Sequence, residues 1–533
     1  MTTRIPATLI PGDGIGPEIV DATLAALDAL KAPFDWDRQI AGLEGVKVAG
    51  DPLPPATLDS IRRTRLALKG PLETPSGGGY RSSNVRLREE FKLYANLRPA
   101  RTIIPGGRFD KIDLVLVREN NEGLYMGYEH FIPIDGDPHA VGMSTGVNTR
   151  QGCRRICRFA FDYAVKQGRK KVTVVHKANI MKALTGIFLE TAREIHAAEY
   201  KDKVAMEEIM DATLAALDAL GAPFDWDRQI AGLGGVKASG DPLPQATLDS
   251  IRRTRLALKG PLETPSGGGY RSSNVRLREE FQLYANLRPA RTIVPGGRFD
   301  KIDLVVVREN LEGLYIGHEH YVKIDDDPHA VAMATGINTR AGSRRLLEFA
   351  FDHAVLTGRK KVTLVHKANI MKALTGIFLE TGLALYEEKY KGKFQLDTVI
   401  IDACAMKLVL NPWQFDMLVT TNLFGDILSD LVAGLVGGLG MAPGANIGAD
   451  AAIFEAVHGS APDIAGKGIA NPIALMLAAA MMLDHCRLTE MATRLRNAID
   501  QTLNIDHVRT GDLGGSAGTA QFTQALVSRI RNG

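Results

Sequence analysis

The sequence lacks the features that mark secreted, membrane-spanning and nucleic-acid-binding proteins. Four cysteines in 533 residues are too few for a disulfide framework and indicate a reducing compartment. No run of about 18 apolar residues is present that could cross a membrane. The formal net charge of +3 leaves no excess of basic residues for a nucleic acid. No signal peptide precedes the strand-like ATLIPGDG, so we expect a cytoplasmic protein with neither a membrane nor a nucleic-acid partner.

The glycine-rich turn near the N-terminus also lacks the spacing of the Rossmann dinucleotide-binding fingerprint. Residues 12–18 are GDGIGPE, which is G-x-G-x-G and not G-x-G-x-x-G. This absence argues against a Rossmann site.

The chain contains most of its sequence twice. Residues 21–190, here called copy A, reappear as residues 211–380, called copy B. GPLETPSGGGYRSSNVRLREEF occurs in both copies, and VHKANIMKALTGIFLE closes each of them. The first 20 residues and everything after about residue 401 occur once. The period is too long for a solenoid repeat, and we expect one protein plus a surplus copy of its middle.

Strand-like and helical runs alternate along the chain, which predicts an α/β protein. The segments LVLVREN from residue 114, KVTVVHK from residue 171 and FDMLVTTN from residue 415 have the pattern of strands that end in polar residues. The segment GDILSDLVAGLVGG follows the last of these and has the pattern of a helix. Open α/β sheets bind ligands beyond the carboxyl ends of their strands, so these polar residues are candidates for a site.

Each copy carries a set of polar residues suited to a polycarboxylate. The planar fork of arginine binds carboxylates bidentately, and several converging arginines would hold several carboxylates. The same arginines on a surface would be ordinary ion-pair partners, and spacing alone leaves both interpretations open. The sets are Ser82, Asn84, Arg88, Arg98, Arg118 and Tyr125 in copy A, and Ser272, Asn274, Arg278, Arg288, Arg308 and Tyr315 in copy B.

Two aspartates after the duplicated region suggest a metal site. Asp426 and Asp430 lie four residues apart in GDILSD, so on a helix they share a face and could bind Mg²⁺ or Mn²⁺ together with a third carboxylate. Alternatively, acidic residues in a first helical turn stabilise the helix dipole. Downstream, residues 458–472 read HGSAPDIAGKGIANP, the composition of a loop that wraps a ligand with backbone amides.

Taken in order, these motifs resemble the β-decarboxylating dehydrogenase family, which includes isocitrate, isopropylmalate and homoisocitrate dehydrogenases. The segments NLFGDILSDLVAGLVGGLGMAPGAN and EAVHGSAPDIAGKGIANP carry the resemblance most specifically. It covers the whole chain once the duplicate is set aside. It implies a two-domain α/β fold, with a mixed sheet in the large domain and a smaller α/β domain.

Within that family, the pattern Ser-x-Asn-x-x-x-Arg resembles the isocitrate branch. The resemblance therefore implies NAD-dependent oxidative decarboxylation of isocitrate to 2-oxoglutarate and CO₂ with Mg²⁺ or Mn²⁺. Homoisocitrate or 3-isopropylmalate dehydrogenase is the alternative among enzymes. A catalytically silent regulatory or assembly subunit is the alternative from another class.

The resemblance also implies roles for particular residues. Tyr315 or Tyr125 would protonate the product, and Lys372 or Lys182 would handle the hydroxyl proton from across a dimer. The metal would be bound by Asp426, Asp430 and a neighbouring subunit's Asp402. Asp463 would accept hydrogen bonds from ribose hydroxyls and repel a 2′-phosphate, which favours NAD. The implied cofactor-binding residues are Thr74, Thr264, His458, Gly459, Ser460, Ala461, Pro462, Asp463, Ile464 and Asn471.

The duplication leaves the choice of copy open. Contiguity favours a large NAD-binding domain from 1–93 and 437–533, a small domain from 284–436, and a surplus segment from 94–283. An alternative uses copy B throughout and leaves copy A as the surplus. One hypothesis is that residues 94–210 dock on the small domain and present Lys182 and Asp211 as a partner protomer would. We therefore expect either a homodimer or an intramolecular pseudo-dimer.

Overall fold

A computed structural model of the chain contains four β-sheets surrounded by helices. The sheets have three, eight, four and two strands, so the predicted α/β class is confirmed. The structure describes residues 4–74, 82–103, 111–178, 180–201, 203, 224–262, 272–297, 299–458 and 467–532.

The N-terminal lobe is built around a three-stranded parallel sheet in the order β2-β1-β3. The apolar run of β1 is buried at Ala7, Leu9 and Ile10, and a proline in the first turn of α1 fixes where that helix begins. The elements of the lobe are β1 Ile5–Ile10, α1 Gly16–Ala29, β2 Phe34–Arg38, α2 Leu43–Ala49, α3 Pro55–Thr64, β3 Ala67–Lys69 and α4 Ser83–Glu90.

The rest of copy A forms half of a small domain. Among the strands that the structure describes, β4 and β5 pair only with each other, and Leu97, Leu114 and Leu116 on them are exposed. The elements are β4 Ala95–Arg101, β5 Asp113–Glu119, β6 Gly123–Ile134, β7 Asp137–Thr149, α5 Arg150–Lys166 and α6 Gly186–Ile195.

Copy B and the C-terminal region form the main body. The elements of copy B are α7 Leu233–Ser239, α8 Gln245–Thr254, β8 Leu256–Lys259, α9 Ser273–Glu280, β9 Ala285–Arg291, β10 Asp303–Glu309, β11 Gly313–Ile324, β12 Asp327–Thr339, α10 Arg340–Thr357, β13 Lys361–His366 and α11 Gly376–Leu385. The C-terminal elements are β14 Gln395–Ile400, α12 Ile401–Leu410, β15 Met417–Thr420, α13 Asn422–Leu435, β16 Pro443–Ile447, β17 Ala452–Ala456, α14 Ile473–His485, α15 Thr489–Asn504 and α16 Thr519–Asn532.

The eight-stranded sheet has the order β14-β13-β15-β10-β9-β16-β17-β8 and mixes parallel with antiparallel pairs. Its strand β8 lies in copy B and pairs with β17, whereas the same segment of copy A, β3, pairs with β1. This arrangement differs from the predicted division, which assigned residues 94–283 to the surplus. It also differs from the alternative that uses copy B throughout, because β1, which occurs once, pairs with β2 and β3 of copy A.

The segment KVTVVHK of copy A was predicted to be a strand, and this prediction is wrong, because no strand is described over residues 172–177. Its counterpart in copy B is β13, which pairs with both β14 and β15. Those two neighbours follow the duplicated region and occur once. The same strand-forming pattern therefore has no sheet to join in copy A.

The two copies meet in a four-stranded antiparallel sheet, which we call the clasp, in the order β11-β12-β7-β6. At its centre Thr145 faces Thr335, and their hydroxyl oxygens lie 3.1 Å apart. These residues occupy the same position in the two copies, so a pseudo-twofold axis passes between them.

Contacts beside the clasp are reciprocal. The carboxylate of Glu319 accepts hydrogen bonds from the amides of Ala183 and Leu184, and Glu129 accepts them from the corresponding amides of copy B. Arg150 pairs with Asp327 as Arg340 pairs with Asp137. Copy A therefore docks on copy B as an intramolecular pseudo-dimer. In the described part of the chain, no helix is long and apolar enough to cross a membrane.

Candidate functional site

Polar residues meet where neighbouring strands of the large sheet end. Arg308 closes β10, which runs parallel to β15, and α13 begins two residues after β15 and carries Asp426. Carboxyl ends of parallel strands converge at one edge. The sequence therefore places a buried guanidinium beside the first turns of a helix that carries aspartates.

Asp426 is the centre of this site, which we call the copy B cluster. Arg308 is only 1% exposed and its Nη1 donates to Asp426 Oδ1 at 2.5 Å. Tyr315 donates its hydroxyl to Asp426 Oδ2 at 2.7 Å. Burial works to raise the pKa of Asp426, but the charge of Arg308, followed by that of Lys177, outweighs it and holds that pKa well below its ordinary value.

Lys177 is the contribution of copy A to this cluster. Its Nζ lies 2.6 Å from Asp426 Oδ2, although the two residues belong to different halves of the pseudo-dimer. The backbone amides of the predicted Lys182 and Lys372 face Glu319 and Glu129 beside the clasp. The lysine that pairs with the aspartate is the first one in the copy A segment VHKANIMK, which the sequence analysis did not select.

Arg288 and Arg278 belong to the same cluster, since both interact electrostatically with Arg308 and Asp426. The Nη1 of Arg288 donates to Ser429 Oγ at 2.6 Å and lies 3.8 Å from Asp430 Oδ1. Burial, followed by the charge of Arg308, lowers the pKa of Arg278 to about 10. Three guanidinium groups are thus held together away from water, which is costly unless an anion compensates them.

Two polar residues at the start of α9 complete the predicted substrate set. Ser272 is buried at the N-cap position of the helix. The buried Oδ1 of Asn274 accepts no hydrogen bond within the described residues. Because a buried polar atom usually has a partner, this oxygen points to a ligand donor.

Glu455 and Lys259 form a further pair that the sequence analysis did not select. Lys259 Nζ lies 2.7 Å from Glu455 Oε2, and Asn446 donates to the other carboxylate oxygen. Burial would raise the pKa of Glu455, but Lys259 and Arg278 hold it at about 2. Their positions in the sequence could have identified this pair, because Glu455 is the first residue of EAVHGS and Lys259 immediately precedes GPLETP.

The copy A residues assemble a second cluster across the pseudo-twofold axis. The Arg118 guanidinium lies 4.9 Å from the centre of the Tyr125 ring, and Lys367 Nζ lies 5.9 Å from the same ring. Lys367 also pairs with Asp402 at 2.5 Å. Asp402 therefore faces copy A and not Asp426, which is the geometry of a residue supplied across a dimer.

The predicted cofactor residues are only partly described. Thr264 and residues 459–464 lie outside the described residues. Thr74 donates its hydroxyl to Ser82 at 3.2 Å, and His458 is buried. Asn471 caps α14 through its Oδ1 and donates to Asp512 at 2.8 Å. The described members that flank the predicted cofactor loop in sequence, His458 and Asn471, are thus both buried.

The aspartates of α13 fit a hard divalent cation. Burial, followed by the negative charge of Asp426, raises the pKa of Asp430, so the two carboxylates are close enough to repel each other. A cation between them would relieve that repulsion. Within the described ranges, no group of three or more candidate metal ligands occurs, and Asp211, the predicted counterpart of Asp402, lies outside them.

We expect the stability of the chain to depend on pH through Glu309, the residue after Arg308. Burial raises its pKa to about 7, above the ordinary 4.5, so the folded state binds the proton more tightly than the unfolded state. Its contribution to stability is therefore present below pH 4.5 and is lost as the pH rises through about 7. We expect a loss of about 3 kcal/mol across this window, and Glu309→Gln should remove that slope in urea unfolding at several pH values.

Glu119 is the matched control, because it occupies the same position in copy A and is less buried. Glu119→Gln should leave most of the slope. An unchanged slope in Glu309→Gln would contradict the assignment of this pH dependence to Glu309.

Comparisons with known proteins agree on one family. Residues 7–218 and 204–526 each match the family model described as isocitrate/isopropylmalate dehydrogenase. The catalytic subunit 5 of the mitochondrial NAD isocitrate dehydrogenase of Arabidopsis thaliana is 45% identical over 61% of this chain and 85% of that protein. One of the regulatory subunits of the mitochondrial enzyme of Dictyostelium discoideum is 42% identical over 61% of this chain and 88% of that protein.

A solved structure gives the same result. The crystal structure of isocitrate dehydrogenase from Methylococcus capsulatus is 52% identical, covers 59% of this chain and 93% of its own, and has a TM-score of 0.57. The expectation of a cytoplasmic protein is contradicted, because the Arabidopsis and Dictyostelium relatives are mitochondrial.

Proposed function

The chain belongs to the isocitrate/isopropylmalate dehydrogenase family of oxidoreductases, and from this premise we propose that it catalyses the NAD-dependent oxidative decarboxylation of isocitrate to 2-oxoglutarate and CO₂. The observation that carries the proposal is the copy B cluster, where buried Arg308, Tyr315 and Lys177 converge on Asp426. The names of the relatives, which are NAD isocitrate dehydrogenase subunits, support the substrate and the cofactor.

Substrate binding is assigned to the three arginines and α9. Arg278, Arg288 and Arg308 each present a fork that pairs with a carboxylate. The free Oδ1 of Asn274 would accept a hydrogen bond, and Ser272 would add one beside it. A substrate with three carboxylates matches three guanidinium groups better than one with two, which supports isocitrate over 3-isopropylmalate.

Acid and base roles follow from Asp426. Burial, followed by the charge of Asp426, raises the pKa of Tyr315 well above its ordinary value, so its hydroxyl stays protonated and can donate a proton to carbon after CO₂ leaves. Lys177 lies beside the same carboxylate, and after it releases its own proton it would accept the hydroxyl proton of the substrate.

A divalent cation and NAD would complete the chemistry. Mg²⁺ or Mn²⁺ held by Asp426 and Asp430 would polarise the substrate hydroxyl and its neighbouring carboxylate, and NAD would accept the hydride. Asp211 is the candidate third ligand.

The test is NADH formation by the full chain with Mg²⁺ or Mn²⁺, comparing isocitrate, homoisocitrate and 3-isopropylmalate, with NADP as the cofactor control. Turnover of isocitrate with NAD is expected. Preference for another hydroxy acid would reassign the substrate. Metal-dependent binding of isocitrate without turnover would instead favour a silent regulatory role, which the Dictyostelium relative supports as the alternative.

A further inference from the structure

The strand sequence RLALKG occurs in both copies, but it has a different neighbour in each. It covers residues 65–70 in copy A and residues 255–260 in copy B. In copy A it forms β3, which pairs with β1, and in copy B it forms β8, which pairs with β17. Both strands come last in their sheets among the strands that the structure describes. Each therefore has one edge that no described strand covers.

The strands β3 and β8 use opposite edges of this shared sequence. The amide of Thr8 in β1 donates to the carbonyl of Leu66 at 2.8 Å. The amide of Ala452 in β17 donates to the carbonyl of Arg255 at 3.1 Å. Successive residues of a strand point their backbone groups to alternate edges, so Leu256, the counterpart of Leu66, faces away from β17. The uncovered edge of β8 is therefore the edge that β1 occupies on β3.

The polar side chains that bind β1 in copy A are repeated in copy B. The buried hydroxyl of Thr8 lies 2.8 Å from both Ser60 Oγ and Thr64 Oγ1. Ser250 and Thr254 occupy these positions in copy B, where Thr254 is exposed although Thr64 is buried. Copy B therefore carries the polar partners of β1 next to an uncovered edge.

The apolar contacts of β1 differ between the copies in the same way. Ile10 is fully buried in a core with Ala41 and Leu72, which are themselves buried. Their counterparts Ala231 and Leu262 are only partly buried, and they pack on a core that contains no residue of β1. The copy B core thus lacks the side chain that Ile10 supplies in copy A.

The outer neighbour of β1 is repeated as well. The sequence FDWDR forms β2 at residues 34–38, where it pairs with β1. At residues 224–228 the same sequence forms no strand. Because the two segments have the same propensity, the presence of β1 decides which of them becomes a strand.

We propose that the uncovered edge of β8 binds β1 of a second copy of this chain, and that reciprocal exchange of β1 produces a strand-swapped dimer. The register is that of β1 on β3, with Thr8, Leu9 and Ile10 opposite Ala257, Leu258 and Lys259. The exchange is nearly balanced in free energy, because the contacts broken on β3 are formed again on an identical strand. The acceptor β8 has the advantage of a fixed position, since β17 already holds it in the large sheet.

The occupant is a second copy and not the chain's own N-terminus. The chain contains the β1 sequence once. The strand β3 belongs to copy A and β8 to copy B, and the two copies lie on opposite sides of the pseudo-twofold axis. The chain's own β1 would therefore have to leave its half of the pseudo-dimer to reach β8, whereas β1 of a second chain approaches this edge from solution.

The first test is the mass of the full chain in solution, measured by analytical ultracentrifugation over a range of concentrations. We expect the mass to rise with concentration toward that of two chains. Leu258→Pro should weaken this association about tenfold or more, because it removes the amide that faces β1 and leaves those that face β17. Leu68→Pro makes the same change in β3 and should increase the dimer fraction, because it releases β1. A dimer that Leu258→Pro does not weaken, or a chain that is monomeric at every concentration, would overturn the proposal.

Pairs of cysteines test the register and the source of the strand. Residues opposite each other on neighbouring strands lie close enough for a disulfide. In a chain with Leu9→Cys and Leu258→Cys, oxidation should link two chains, which non-reducing electrophoresis detects. Leu9→Cys with Leu68→Cys should give a link within one chain, and it shows whether the fold tolerates the change at Leu9. A link within one chain in the first variant, or no link there, would contradict a strand supplied by a second copy.

Discussion

Replacing Lys177 with alanine should lower kcat for NAD-dependent isocitrate oxidation by roughly 10²- to 10⁴-fold, the range over which positioned acid–base groups act. The Nζ of Lys177 lies 2.6 Å from Asp426 Oδ2. The corresponding lysine of copy B, Lys367, is paired with Asp402 in the other cluster. In the proposed mechanism, the site on α13 would therefore depend on a lysine supplied by the chain's own duplicated segment.

The duplication provides a matched control for this prediction. Lys367→Ala makes the same change in the same local sequence, and it should retain most of kcat. Lys182→Ala tests the lysine that the sequence selected, and we expect a small effect because Asp426 is paired with Lys177. Initial rates at saturating isocitrate, NAD and Mg²⁺ give kcat for the three variants.

The opposite pattern of activities in the two lysine variants would contradict this prediction. If Lys367→Ala were inactive and Lys177→Ala active, the site would be completed by Lys367 of a second chain, and copy A would not act as a partner protomer. Measuring the mass of the active species in solution would then show a dimer of two chains.

The family fold and most of the copy B cluster could be predicted from sequence. Arg308 lies near the end of β10, and Asp426 and Asp430 lie on α13, the helix that follows β15; such positions converge at one sheet edge. The lysine could not be selected in this way. Lys177 and Lys182 lie in an irregular segment after a strand position, where neither a helical nor a strand period decides which side chain reaches Asp426.

Local sequence also could not predict which copy joins the large sheet, and the reason is different. KVTVVHK and KVTLVHK have the same strand propensity, yet only the second forms a strand, β13, because β14 and β15 occur once and pair there. Tertiary neighbours decided the outcome, and propensity did not. The sequence is compatible with several equivalent combinations of the two copies. The C-terminal segment decides between them, because its strands β14 and β15 pair with β13 of copy B.

Because the C-terminal segment packs on copy B, we expect Leu304→Asp to unfold the chain and Leu114→Asp to be tolerated. The two leucines occupy the same position in the two copies. Leu304 is 1% exposed and Leu114 is 52% exposed. Leu304 packs in a core with Leu428 and Val432 of α13, and a buried carboxylate without a partner there should cost more than about 4 kcal/mol. Leu114→Asp, in water, should change the free energy of unfolding by about 0.5 kcal/mol or less.

Urea unfolding followed by circular dichroism, together with soluble yield, measures both variants. If Leu114→Asp unfolded the chain and Leu304→Asp did not, α12 and α13 would cover copy A in solution, and the working site would be built from Arg88, Arg98 and Arg118. If both variants were destabilised equally, both leucines would be buried, which requires a second chain to cover the exposed face of β5. Only the predicted asymmetry is consistent with one C-terminal segment that is committed to copy B.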